Sequence, residues 1–359
     1  ERAPALLVAP DHYILRMLHS RGVPLATTAP NTLSAREEAA RQGVHYAGRT
    51  RHPASAVLAV TSRPGFFREA VGPPPIRRWE LLLRDIQHAR ANRVVLSSEL
   101  FADATDQAIE RIVADLDRER VHVVVTLRPL AALLPSQWQQ YVRAGLRASY
   151  PAWLEAMLRP TSRKLTPTFW RRHRHDRLVD RWSRRVGADR VTVIVVDQAD
   201  PSRLLRVFEQ LVGLRDKTLA GPDSHENRSM TLPEIEVIRA FNRIAKKTGV
   251  DKALLNQVMH FGAAQYMRRR VPKADEPHIR TPAWALDRAA EISEEMTTAI
   301  AGSGVRVIGD LEQLVPARQP ATPHATDDGP VRAATVSPEL AAWVAFQRTA
   351  AVNGTADEA

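Results

Sequence analysis

VVVTLRPLAALLPSQWQQYVR, residues 123–143, decides how this chain is read. A nearly unbroken run of β-branched residues, which favour extended backbone, stops at Arg128 and Pro129. An amphipathic stretch with Ser136, Trp138 and Tyr141 at helical spacing comes at once after it. A strand this apolar is covered by helices on both faces, as in a parallel sheet. The arginine at its carboxyl end is either a solvated strand-end charge or the anchor of an anionic ligand.

Ser136 stands eight residues after Arg128. If the helix begins near Leu130, Ser136 is about two turns along it. Pro135 lacks an amide and suits a first turn. A start nearer Leu134 would place Ser136 where free amides and the helix dipole favour an anion. Either arrangement lets a guanidinium and a hydroxyl converge on one phosphate. Trp138 and Tyr141 read most simply as core.

Outward from this junction, strand-like and helical runs alternate, the pattern of an α/β protein with a largely parallel sheet. The strand candidates are Tyr13 to His19, Arg93 to Ser98, Val121 to Leu127 and Val191 to Val196. Between them, ATDQAIERIVADLDRE repeats apolar residues at helical spacing, with Asp103 or Thr105 available as its cap. After Val196 the chain turns helical through SRLLRVFEQLVGL, LPEIEVIRAFNRIAKKTG and PAWALDRAAEISEEMTTAIAG. The run VRVIGDL is an edge strand or simple packing. Residues 1–315 are expected to form one α/β domain, the Pro-, Ala- and Thr-rich residues 316–336 a linker, and residues 337–359 a terminal helix and tail.

The 359 residues, 44% of them hydrophobic, are enough for a sizeable core. No run approaches the ~18 to 20 apolar residues that span a bilayer, and the opening ERAPALLVAPDHYIL does not read as a signal peptide. A cytoplasmic location is therefore expected. Cysteine is absent, which excludes disulfides, thiolate nucleophiles and Cys-type zinc sites. The net charge is +11, with 45 Arg against 6 Lys. That balance suits bidentate phosphate or sulfate contacts, and it equally suits a GC-rich coding bias. A nucleic-acid-binding role finds a basic chain but no recognised motif. A P-loop NTPase lacks its GxxxxGK[ST].

The strand, Arg, Pro and a Ser eight residues on, followed by an aromatic, resembles the 3′-phosphate-binding segment of sulfotransferases that use 3′-phosphoadenosine-5′-phosphosulfate (PAPS). VTVIVVDQADPSRLLRVFEQLVGL, residues 191–214, resembles a later segment of that family. RVVLSSELFADATDQ and TPTFWRRHRHDRLVDRW look like its actinobacterial branch. The resemblance spans roughly residues 13 to 310. It implies a three-layer P-loop-like fold with a helical C-terminal half, PAPS as donor and adenosine 3′,5′-bisphosphate as product. The acceptor would be a hydroxyl on a saccharide, glycolipid or small natural product, with no nucleic acid or metal involved and a homo-oligomer compatible.

The resemblance also assigns residues. Arg128 and Ser136 would hold the 3′-phosphate, with Arg228 and Ser229 closing over it from a late loop. The phosphosulfate loop would fall in LHSRGVPLATTAPN, where His19, Thr27, Thr28 and Asn31 match the family. Pro24 and Ala26 replace the usual Lys and Gly. Arg21 is the candidate substitute cation. This departure keeps open a catalytically silent nucleotide-binding protein on the same fold. Glu99, after Ser97 and Ser98, stands where the general base is expected, with His19 as the rival. The basic cluster Arg171 to His175 reads as a solvated helix face or, more sharply, as an acceptor-side wall.

Overall fold

The computed structural model describes residues 5–9, 35–47, 53–63, 72–159, 165–200, 202–219, 229–250, 270–273 and 275–316. Among them a six-stranded sheet runs β2-β3-β1-β4-β5-β6, with every neighbouring pair parallel. Its strands are β1 (Ala5–Ala9), β2 (Val44–Tyr46), β3 (Arg93–Ser97), β4 (Val121–Leu127), β5 (Val191–Val195) and β6 (Arg306–Ile308). This is the expected α/β class, a three-layer P-loop-like arrangement.

Helices cover both faces of the sheet. Val121, Val123 and Val125 of β4 pack with α4 (Asp106–Leu116) and α8 (His175–Val186). Val124, between them in sequence, packs on the other face with α1 (Ala35–Arg41) and α9 (Ser202–Val212). The period-2 pleat puts alternate residues on opposite faces, so a strand covered twice must be apolar almost throughout. The remaining helices preceding β3 are α2 (Ala54–Val60) and α3 (Arg77–His88).

A second core lies beyond the sheet. It joins α5 (Leu130–Arg143), α6 (Tyr150–Leu158), α7 (Phe169–His173), α10 (Leu232–Lys247) and α11 (Ala283–Ala301). Trp138 and Trp153 are fully buried there, and Tyr141 nearly so. Tyr150 stacks on Trp153 at 6.2 Å between ring centres, and Phe169 meets Trp153 edge-on at 5.2 Å. The aromatic residues after Ser136 are therefore core, as their spacing implied, and they fix α5 rigidly behind the strand end.

One strand differs from expectation. The central strand among the described residues is Ala5–Ala9, which the sequence pattern did not single out; the expected strand Tyr13 to His19 lies outside the described residues. VRVIGDL does supply an edge strand, β6 beside β5. The expected linker and terminal helix also lie outside the described residues. None of the described helices is long and apolar enough to cross a membrane.

Candidate active site

In an open parallel sheet, ligands bind beyond the carboxyl ends of the strands where the strand order reverses. Here the chain passes from β1 to β2 at one edge and returns to β3 beside β1, then crosses to β4 on the other side. The reversal falls at β1. Val8 of β1 pairs with Ser97 of β3, and Ala9 pairs with Val125 of β4. Glu99 comes two residues after Ser97 and Arg128 three after Val125. The two charged residues overhang the same end of β1 from its two flanks.

The turn that carries Glu99 is built locally. Ser98 stays extended, and its hydroxyl accepts the Leu100 N–H at 3.3 Å. This opens a 3-10 turn over Glu99–Asp103. Glu99 Oε2 and Ser97 Oγ are both buried and make no hydrogen bond. A buried oxygen left in that state costs stability, so in a native site it calls for a functional reason or a bound partner.

Arg128 is half-buried at the end of β4, and α5 begins two residues later at Leu130. Of the two helix starts the sequence left open, the earlier one is observed. Pro135 is inside the helix, and Ser136 is half-buried in its second turn. The Ser136 hydroxyl donates to Leu133 O at 3.0 Å, a local back-bond. A phosphate offers only acceptors, so to serve one Ser136 must turn its proton away from Leu133. Gln139, one turn further on, is buried, and its Oε1 accepts the Met230 N–H at 3.0 Å. That bond draws Ser229, exposed and immediately before Met230, toward the helix that carries Ser136. The sequence alone does not single out Gln139, because its partner lies 91 residues away.

The chain just after Ser229 is anchored as well. Glu234 in the first turn of α10 is fully buried and accepts the Thr231 N–H at 2.9 Å. Arg270 bonds Glu234 Oε1 at 3.0 Å and both oxygens of Glu276, and the Thr231 hydroxyl reaches Glu276 Oε2 at 2.9 Å. The hydrogen bond from Arg270 holds the Glu276 pKa down to about 2.

The basic cluster differs from the solvated face it suggested: none of Arg171 to His175 is exposed. Arg172 forms a two-pronged pair with Asp103, Nε to Oδ1 at 2.8 Å and a second bond to Oδ2, with both side chains under 10% exposed. Burial alone would lower the arginine's pKa, but the bonds and charge of Asp103 outweigh it and raise it. Arg174 pairs with Asp176 at 2.8 Å and with Glu295 at 3.0 Å. Asp103 is thus an ion-pair partner, and Thr105 caps α4 by accepting the Ala108 N–H. Burial raises the Tyr141 pKa against the opposing charge of Arg172, and its hydroxyl lies 3.5 Å from Thr168 Oγ1.

His19, Arg21, Thr27, Thr28 and Arg228 lie outside the described residues. Of the expected site residues, Glu99, Arg128 and Ser136 share the carboxyl side of the sheet centre, and Ser229 is tethered beside α5. No group of three or more His, Asp or Glu among the described residues is arranged to hold a metal.

No family model matches the chain, and no curated protein does. Among solved structures, a sulfotransferase from Alicyclobacillus acidocaldarius is similar, at 16% identity and a TM-score of 0.42, over 72% of this chain and 96% of that one. The roles of individual residues have to come from the geometry of this chain itself.

Proposed function

We propose that this protein transfers a sulfuryl group from PAPS to the hydroxyl of a saccharide, glycolipid or small natural product, releasing adenosine 3′,5′-bisphosphate. The supporting observation is the pairing of opposite chemistries around one strand end: an unbonded carboxylate oxygen on Glu99 and the guanidinium of Arg128 on the far flank of β1. When bound, the donor supplies a sulfur whose bond to the phosphate oxygen breaks, with its electron pair, as the bond to the acceptor oxygen forms. Glu99 receives the proton of the acceptor hydroxyl. Arg128 and Ser136 hold the 3′-phosphate, and Arg228 and Ser229 approach it from the late loop.

A second reading has its own observation. In LHSRGVPLATTAPN, Pro24 and Ala26 stand where the phosphosulfate loop ordinarily has Lys and Gly. A phosphosulfate cradle ordinarily uses such residues. That favours a nucleotide-binding protein without turnover.

Calorimetry with adenosine 3′,5′-bisphosphate tests what both readings share. Wild type is expected to bind, and Arg128→Ala to bind about 10- to 100-fold more weakly, the worth of a charge-assisted phosphate contact. Absence of binding in the wild type would end both readings. Labelled PAPS with a panel of hydroxyl acceptors then separates an enzyme from a silent binder.

A further inference from the structure

The turn Glu99–Asp103 is fastened at its far end by two arginines from different helices. Arg172 of α7 grips Asp103 with both prongs of its guanidinium. Arg181 of α8 donates from one nitrogen to Ala102 O and to Arg171 O, each at 3.0 Å, tying the turn to α7. Neither device supports α4, whose cap is Thr105. What they fix is the path of the chain between β3 and Thr105, and Glu99 is the residue that path presents.

We propose that Arg172 and Asp103 are positioning residues for Glu99: together they set where its carboxylate stands and how strongly it attracts a proton. The proposal rests on the reading of Glu99 as the proton acceptor. A bidentate pair is close to neutral seen from outside, and its two members act on a neighbouring charge with opposite sign. The two charges are felt separately once either is removed. Arg172 senses the Glu99 charge as well as that of Asp103. Among the described residues, the other charged and titratable groups on the elements packed here include Tyr141 on α5, which feels Arg172 and Asp103, Arg171 and His173 on α7, and Arg181 on α8, which feels Asp106.

The pair therefore predicts effects of opposite sign. Asp103→Asn removes a negative charge and keeps the cation of Arg172, so Glu99 is expected to give up its proton at lower pH. Arg172→Gln removes the cation and leaves Asp103 unopposed, so Glu99 holds its proton to higher pH. Each displacement is expected to be about one pH unit. The double variant Asp103→Asn with Arg172→Gln restores neutrality and is expected to return close to wild type. It also removes both buried charges together, which is tolerated better than leaving one unpaired.

The measurement is a carbon-13 NMR titration of glutamate carboxyl carbons in the full chain, with Glu99→Gln identifying the Glu99 signal. Circular dichroism is taken in parallel to show that each variant is folded. This readout needs no substrate. If the Glu99 midpoint moves in opposite directions while PAPS is not turned over, the proposed activity is wrong and the coupling stands. If a single variant does not fold, the double variant decides, since the purely structural alternative gives no reason for its midpoint to match wild type. Midpoints that stay fixed or move in the same direction in folded single variants, or a folded double variant displaced by as much as a single one, would overturn the proposal.

Discussion

Glu99→Gln is expected to lower kcat for sulfuryl transfer by about 10²- to 10⁴-fold, the usual contribution of a positioned general base. Binding of adenosine 3′,5′-bisphosphate should stay close to wild type, because Arg128 and Ser136 come from a different strand and helix. The amide keeps the volume of the carboxylate and cannot accept the acceptor's proton. Stability supplies an independent check. Glu99 Oε2 is buried without a hydrogen bond, so folding already bears the cost of desolvating it. Removing the charge should leave the melting temperature unchanged or higher. A carboxylate retained for structure would behave the other way, with stability falling and turnover, in the surviving fraction, intact.

The same residue shows what the sequence can disclose. Three buried strands are legible to within one residue, since a parallel strand covered on both faces has no choice but to be apolar; only Ser98 and Val196 fall outside the observed ends. Glu99 and Arg128 can then be placed at strand ends by counting. The central strand escapes because ALLVA is short and rich in alanine, and a five-residue apolar run carries no period that separates strand from helix. The neighbouring YILRMLH is longer and looks the better strand. The cluster at Arg171 to His175 misleads for a different reason. Local charge density suggests solvent, and what turns Arg172 inward is Asp103, 69 residues earlier. Ion pairs and amide bonds between distant segments leave no periodic trace, and for that reason Gln139 and its Met230 partner are invisible too.

Arg270→Met is expected to lower stability by about 3 kcal/mol, the lower end of what breaking a buried pair costs. The reason is what it leaves behind. Glu234 is fully buried and would lose its cation, while Glu276 would lose bonds to both of its oxygens. The effect should depend on pH with a definite sign. The folded pKa of Glu276 is held at about 2 against an ordinary value of 4.5. A carboxylate whose pKa is depressed on folding contributes its full stability above about 4.5 and loses it as pH falls toward 2. Urea unfolding at neutral pH should therefore separate wild type from variant clearly, and the gap should narrow as the pH is taken down through that window. The chain path adds a functional consequence. Thr231 is bonded to both Glu234 and Glu276, and Met230, its neighbour, is bonded to Gln139. Loosening the cluster frees Ser229 from beside α5, so Arg270→Met should also weaken adenosine 3′,5′-bisphosphate binding, though by less than Arg128→Ala. Wild-type stability at neutral pH in the variant would show that the cluster does not hold this segment, and unchanged nucleotide affinity in a destabilised variant would remove Ser229 from the site.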